Sequence, residues 1–410
     1  MLNRTIPENF IIFGQQPWDT PIGSNCKNIA LELSKNFNVL YINIPLDRAT
    51  LLRNLPEDKT HIERRKAVLN GQVNPFEKIN EHLTAFTPAT VIESINWLPD
   101  GRMFDFLNKI NNRRIAKQVK YAMNKLKIKN FILFNDSDMF RSFYMKELLH
   151  PFFSIYYSRD NLISTEYFKK HGTRLEPRLI AKSDMAAANS IYLKNYCAQF
   201  NPNSYYIGQG CELEVFDPSK EFAKPADMEG ITHPVIGYIG ALLKLRLDLG
   251  LLEKLAGQKS DWNFVFVGPE DEHFKASKLH EMKNVYFLGP KKPEQLPAYL
   301  YYFDVAINPQ EINPMTIGNY PRKIDEYLAM GKPVVATRTE AMEAFSDHVY
   351  LAETAEEFAH LIEQALQETN NLKKAEKRIE LAKSHTWENS VNELLNGIYQ
   401  TLEKRDTAKS

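Results

Sequence analysis

The chain is punctuated by short apolar runs that end in glycine or a turn, each followed by a stretch of helical period. Phe10-Ile11-Ile12-Phe13-Gly14 is the first such run. Turn residues Pro17, Asp19, Pro21 and Gly23 follow. Residues 25–35 then read as a helix, with Ile29, Leu31 and Leu33 among its apolar positions. Val39-Leu40-Tyr41-Ile42-Asn43-Ile44 is the next strand. Strand, loop, helix and strand in about 35 residues make a βαβ unit, the building block of parallel sheets. The same alternation predicts strands at 83–86, 131–134, 153–157, 185–188 and 204–207, and helices at 104–127, 140–149, 174–182 and 190–199. The stretch 45–82 is polar and has no clear period, so it reads as a long insertion.

A break follows at 217–234, where Pro218, Pro225, Gly230 and Pro234 stand among few apolar residues, as in a linker. A second series then begins. Val235-Ile236-Gly237-Tyr238-Ile239-Gly240 and Phe264-Val265-Phe266-Val267-Gly268 are strands ending at glycine, and Val285 to Gly289 repeats the form. Helices are expected at 247–256, 296–302 and 322–330, and strands at 305–307 and 333–336. Helices at 355–368, 372–383 and 387–404 finish the chain. The pattern predicts an α/β protein of two units, and 410 residues suit two domains.

Composition changes this picture little. Hydrophobic residues at 43% and charged residues at 25% exclude a disordered or collagenous chain. Lys+Arg and Asp+Glu both total 51, so net charge selects no partner. Cys26, Cys197 and Cys211 are far apart and odd in number, which disfavours disulfides and a cysteine zinc site and favours a reducing cytoplasm. No run approaches the about 18 apolar residues of a membrane span, and residues 1–9 lack a signal-peptide pattern. No metal-binding spacing occurs.

In parallel α/β sheets, ligands sit beyond the C-terminal strand ends, where glycine admits close approach and the next helix offers its N-terminus to an anion. Gly14, Gly240, Gly268 and Gly289 hold that position. Each alone is explained by a tight turn, but together they point to ligand sites in both units. The dinucleotide fingerprint G-x-G-x-x-G is absent after the first strand, where the sequence is Gly14-Gln15-Gln16-Pro17-Trp18, so an NAD enzyme is disfavoured.

Residues 236–242, 261–269, 284–289 and 303–309 resemble the donor domain of GT-B glycosyltransferases. The segment Pro321-Arg322-Lys323-Ile324-Asp325-Glu326-Tyr327-Leu328-Ala329-Met330-Gly331-Lys332-Pro333 is similar to the sugar-nucleotide segment of glycosyltransferase family 4. Residues 183–190 and 206–210 resemble the end of the GT-B acceptor domain. The resemblance implies a GT-B fold: two Rossmann-like domains whose parallel sheets face an interdomain cleft, which closes to exclude water. Residues 1–217 would bind the acceptor, with a C-terminal helix, 387–406, packing back on them. Residues 232–386 would bind a nucleotide sugar, with UDP-sugar as the default donor and no cofactor or metal.

Site residues follow from the same resemblance. Lys323, at a helix start, would contact the diphosphate beside Arg322, where cation and helix dipole act together. Lys244 or Arg246, after the Gly240 turn and near Gly268, would supply a second cation. Glu326, one turn after Lys323, would accept from the ribose hydroxyls. The family's second glutamate, eight residues earlier, is Gly318 here. That departure leaves the stereochemical course open and passes the sugar contacts to Thr316, Asn319 or Tyr320. Tyr156 to Thr165 resembles a segment of the inverting glucuronosyltransferase of the xanthan pathway, in which an Asp is the proposed base. Asp160 holds that place, where it fits either a general base or a turn-capping role. Asp136 and Asp138 are further candidates.

Lys109, Arg113, Arg114, Lys117, Lys120, Lys125, Lys127 and Lys129 form a basic stretch without an acidic residue. It fits either a solvated helix face or contact with an anionic membrane bearing a lipid-linked acceptor, at the inner face of the plasma membrane. It carries no nucleic-acid motif. The expected activity is sugar transfer to a glycan or lipid-linked hydroxyl in surface polysaccharide assembly. A sugar-nucleotide 2-epimerase and a non-catalytic GT-B subunit are the alternatives.

Overall fold

The computed structural model describes residues 6–20, 23–52, 59–368 and 371–407. Residues 1–5, the turn residue Pro21 and part of the expected insertion lie outside them. The chain divides into two compact units, Met1–Gln209 with Trp387–Ser410, and Gly210–Thr386. The division thus falls ahead of the proline-rich stretch, and residues 210–231 belong to the second unit.

The described residues of the first unit form an eight-stranded sheet. Its order is Ser204–Tyr206, Met185–Ala188, Phe153–Ser158, Ile132–Asp136, Asn9–Phe13, Asn38–Ile42, Leu83–Phe86 and Phe76–Lys78. Every neighbouring pair is parallel except the last. Most of these strands are buried on both faces, which is why they read as unbroken apolar runs. Phe10, Ile12, Val39 and Tyr41 pack with Ile29 and Leu33 of the helix Asn25–Leu33, and with Leu394 and Ile398 of the last helix, Trp387–Thr407. Ser24 starts the first of these helices by accepting from the Lys27 N–H.

The second unit is a six-stranded parallel sheet in the order Val285–Phe287, Asn263–Val267, Val235–Ile239, Val305–Asn308, Val334–Thr337 and Tyr350–Ala352. In order of appearance that is 3-2-1-4-5-6, the doubly wound order. Asp248, Thr354 and Asn371 cap the helices that follow them. The unit's two chain ends meet, because the Cys211 N–H donates to the His385 carbonyl at 2.9 Å.

Three expectations change. The polar stretch 45–82 contains a helix, Lys59–Leu69, and the antiparallel edge strand Phe76–Lys78. The helix expected at 174–182 spans Glu166–Lys182, because packing overrides Gly172 and Pro177 within it. The helix expected at 140–149 is confined to Met145–Leu149, since Asp138 and Asn135 hold the preceding residues in turns.

Candidate active site

Each unit's main sheet has a place where the strand order reverses beside its first strand, against the fifth strand in the first unit and the fourth in the second. Ligands of doubly wound sheets bind beyond the strand ends at that point. In the second unit it lies between Ile239 and Asn308.

Two glycines shape the strand ends there. Gly240 has φ +144° and Gly268 φ +155°. A Cβ on Gly268 would lie 2.0 Å from the Gly240 carbonyl oxygen, so the backbones pass at a distance only glycine permits. The Gly240 N–H donates to Val267 at 2.9 Å. The following loop meets the loop after Asn308: Asp248 N–H donates to Pro309, Glu311 N–H donates to Arg246, and Lys244 Nζ lies 3.2 Å from Glu311 Oε2. Lys244 is therefore engaged with a carboxylate. Arg246 is exposed and has no ion pair among the described residues.

The helix Arg322–Ala329 places the cations. Ile324, Asp325, Tyr327 and Leu328 are buried. The Tyr327 hydroxyl accepts from the Ile239 N–H at 2.8 Å, which pins the helix to the strand end. Arg322, Lys323 and Glu326 occupy the opposite face. Pro321 precedes the helix, and no side chain caps its first turn. Lys323 Nζ donates to the Tyr238 hydroxyl at 2.5 Å and sits 4.2 Å from that ring's centre. It would be 3.1 Å from a Cβ on Gly240. Among the described residues no carboxylate pairs with Lys323. Burial pushes the Glu326 carboxyl above its usual range, against the opposing pull of Arg322 and Lys323. It takes no hydrogen bond among the described residues. Asp325 faces the other way and is fully buried. His385 Nδ1 lies 2.6 Å from one of its oxygens, and the Cys211 thiol donates to the other at 2.9 Å.

The three candidates for sugar contact separate. Thr316 spends its hydroxyl inside the loop, on Glu311 and on the Asn313 N–H. Tyr320 packs in the core with its hydroxyl 3.0 Å from His385 Nδ1. Asn319 is half-buried, and its side chain makes no hydrogen bond among the described residues.

The first unit's reversal lies between Phe13 and Asp136. The Gln15 N–H donates to Asp136 Oδ2 at 3.1 Å, and Arg159 Nε donates to Asp136 Oδ1 at 2.9 Å. Arg159 also holds Asp160 Oδ2 at 3.0 Å. Asp136 is fully buried and its charge is spent on Arg159. Asp138 accepts from the Phe140 and Arg141 N–H groups and from Arg141 Nε. Of the three acids, Asp160 is the accessible one, with its side chain 44% exposed. Beside this network lies a cavity of about 560 Å³, lined by Gln15 and Arg141 among others.

Sequence reasoning missed Tyr238, Arg159, Gln15 and Arg141. Tyr238 left one trace, a hydroxyl-bearing residue in an otherwise apolar strand two positions before its glycine. The other three act through contacts made across the sheet. The basic stretch lies largely on the helix Arg102–Lys125, where Lys109, Arg113, Lys117 and Lys120 are exposed. Among the described residues no helix is long and apolar enough to cross a membrane, and no cluster of three His, Cys, Asp or Glu could hold a metal.

Residues 233–368 match the family described as glycosyl transferases group 1. The chain is 33% identical over 186 residues to a putative teichuronic acid biosynthesis glycosyltransferase of Bacillus subtilis, a match covering 44% of this chain and 46% of that protein, about half its length. Two solved structures share its fold. Sucrose-phosphate synthase from Thermosynechococcus elongatus aligns with TM-score 0.60 and 14% identity over 97% of this chain and 100% of that one. The Anabaena protein HepE, solved in complex with UDP, aligns with TM-score 0.60 and 15% identity over the same shares. The second unit thus carries a glycosyl transferases group 1 domain, in a chain whose fold is that of the GT-B glycosyltransferases.

Proposed function

We propose that this chain is a metal-independent glycosyltransferase of surface polysaccharide assembly, moving a sugar from a UDP-sugar to a hydroxyl of a glycan or lipid-linked acceptor. One observation carries the reading. Lys323 stands at an uncapped helix start, unpaired with any carboxylate among the described residues, over the glycine turn of the reversal point. A diphosphate would supply the missing negative charge, and the helix N-terminus adds to the attraction. The HepE complexes with UDP and with UDP-glucose lend the donor class.

The chemistry then divides by unit. Glu326 accepts from the ribose hydroxyls and Asn319 reaches the sugar. Asp160 takes the proton of the acceptor hydroxyl as its oxygen attacks the anomeric carbon, which inverts that centre. The bond to the β-phosphate oxygen breaks, and Lys323 with the helix start takes up the charge left on UDP. Protein cations here act where other transferases use a metal. The basic face at 109–129 would hold the protein against an anionic membrane and its lipid-linked acceptor.

The test is incubation with a panel of radiolabelled UDP-sugars and GDP-sugars. Slow release of UDP from one donor, accelerated by acceptor, is the expected result. Inversion at C2 of the sugar would make the chain an epimerase, and complete inertness a non-catalytic subunit.

A further inference from the structure

We propose that the cavity of the first unit is the acceptor subsite, and that it takes an electrically neutral pyranose stacked on an aromatic wall and held by Asn96 and Asn108. The proposal rests on the reading of the chain as a transferase, and it names the class of acceptor.

The cavity's volume of about 560 Å³ falls inside the range of small-ligand sites. Its wall is an aromatic block. Phe140 and Phe168 stack with ring centres 5.8 Å apart, and Tyr167 stands edge-on to Phe168 at 5.1 Å. Trp97 and Tyr167 line it too, yet remain 75% and 58% exposed. The Trp97 ring enters no aromatic pair among the described residues, and both backbones are fixed: Lys170 Nζ donates to the Trp97 carbonyl at 2.9 Å, and Asn96 Nδ2 to that of Tyr167 at 3.2 Å. The negative face of an aromatic ring attracts the weakly positive C–H groups on one side of a pyranose.

Two amides supply the polar half. Asn96 Oδ1 is buried with no hydrogen-bond partner among the described residues. Asn108, 3% exposed, accepts from Asn112 on its oxygen, and its nitrogen donates to nothing among the described residues. A buried polar group left unmade costs stability. One spare acceptor and one spare donor are what sugar hydroxyls satisfy.

The charges exclude an anionic ligand. Arg141, the one cation of the lining, is tied to Asp138 at 2.8 Å and to Gln15 at 2.7 Å. Glu93 is clamped between Arg48 and Arg114, which hold its carboxyl down to about 2. No cation is left over for a uronate or phosphate, and Asp47, the other acid of the lining, spends its oxygens on the Thr50 N–H and on the hydroxyls of Thr50 and Ser94. The same end of the cavity leads to the base. Gln15 joins Asp136, which joins Arg159, which joins Asp160.

The test uses the full chain, titrated with methyl glucoside and methyl N-acetylglucosaminide against methyl glucuronide and inorganic phosphate. Binding is read by saturation-transfer NMR and by tryptophan fluorescence, and a parallel UDP titration reports the donor site. The neutral glycosides should bind at least about tenfold more tightly than the glucuronide. Trp97→Ala should weaken them by about tenfold while UDP affinity and Tm stay unchanged. Trp97→Phe should keep the binding and lose the fluorescence response. A glucuronide or phosphate that binds as well as the neutral sugars would overturn the proposal. So would an undiminished affinity in Trp97→Ala, or absent glycoside binding in protein that still binds UDP. Loss of UDP binding alone, with glycosides still bound, would sink the donor reading and leave this site standing.

Discussion

Replacing Lys323 with methionine removes one charge and keeps most of the stem that packs over Tyr238. The ammonium lies 2.5 Å from the Tyr238 hydroxyl and is opposed by no carboxylate among the described residues. A phosphate oxygen bound in front of it would sit within about 4 Å. At that distance, in an effective dielectric near 20, unit charges attract by about 4 kcal/mol. Rehydration of the separated ions returns about half, leaving on the order of 2 kcal/mol. UDP should therefore bind Lys323→Met about thirtyfold more weakly, as measured by isothermal titration. Uridine, which lacks the diphosphate, should bind wild type and variant alike, and the wild-type preference for UDP should shrink as salt is raised. If UDP affinity stays within about twofold of wild type, the diphosphate does not lie on this helix start, and the donor site must be sought elsewhere.

Four further outcomes are expected. Asp160→Asn should keep UDP affinity and lose transfer by at least about a hundredfold, measured by product formation under saturating donor; retained turnover would remove Asp160 from the chemistry. Gly268→Ala forces a Cβ to 2.0 Å from the Gly240 carbonyl at φ +155°, so denaturant unfolding of the second unit should show a loss of about 3 kcal/mol or more. Because burial raises the Glu326 pKa and the ionised form is the better acceptor, uridine affinity should begin to fall with decreasing pH while still above the ordinary glutamate range; Glu326→Gln should flatten that profile. Changing Lys109, Arg113 and Lys117 together to glutamine should weaken binding to phosphatidylglycerol vesicles by about 3 kcal/mol, more than about a hundredfold, read by vesicle sedimentation.

The second unit was the more legible half of the sequence. Its strands are buried, so Val235 to Ile239 and Asn263 to Val267 show as apolar runs closed by glycine. The helix with Lys323 and Glu326 also stood out, because its apolar and charged residues separate cleanly at helical spacing. The polar helix Lys59–Leu69 was hidden for the opposite reason, since it has almost no apolar face. The edge strand Tyr350–Ala352 is too short to carry a pattern. Side-chain roles were less legible than elements. Nothing local to Lys244 announces Glu311, and nothing local to Asp136 announces Arg159. Thr316 and Tyr320 looked suited to a sugar until the loop and the core claimed their hydroxyls. The cavity of the first unit draws Asn96, Asn108 and Phe140 from separate segments, and periodicity within any one of them does not reveal it.

The hydrogen bond between Cys211 and His385 has an evolutionary meaning. A block of chain whose entrance and exit touch can be lifted out of one gene and set into another without stretching its host, which is the condition under which inserted domains are tolerated. Residues 210–386 meet that condition, and they include the whole of the 233–368 group 1 segment. The portion proposed to choose the activated sugar is thus packaged as a cassette. Recombination could trade it between lineages while the rest of the protein keeps its own partner.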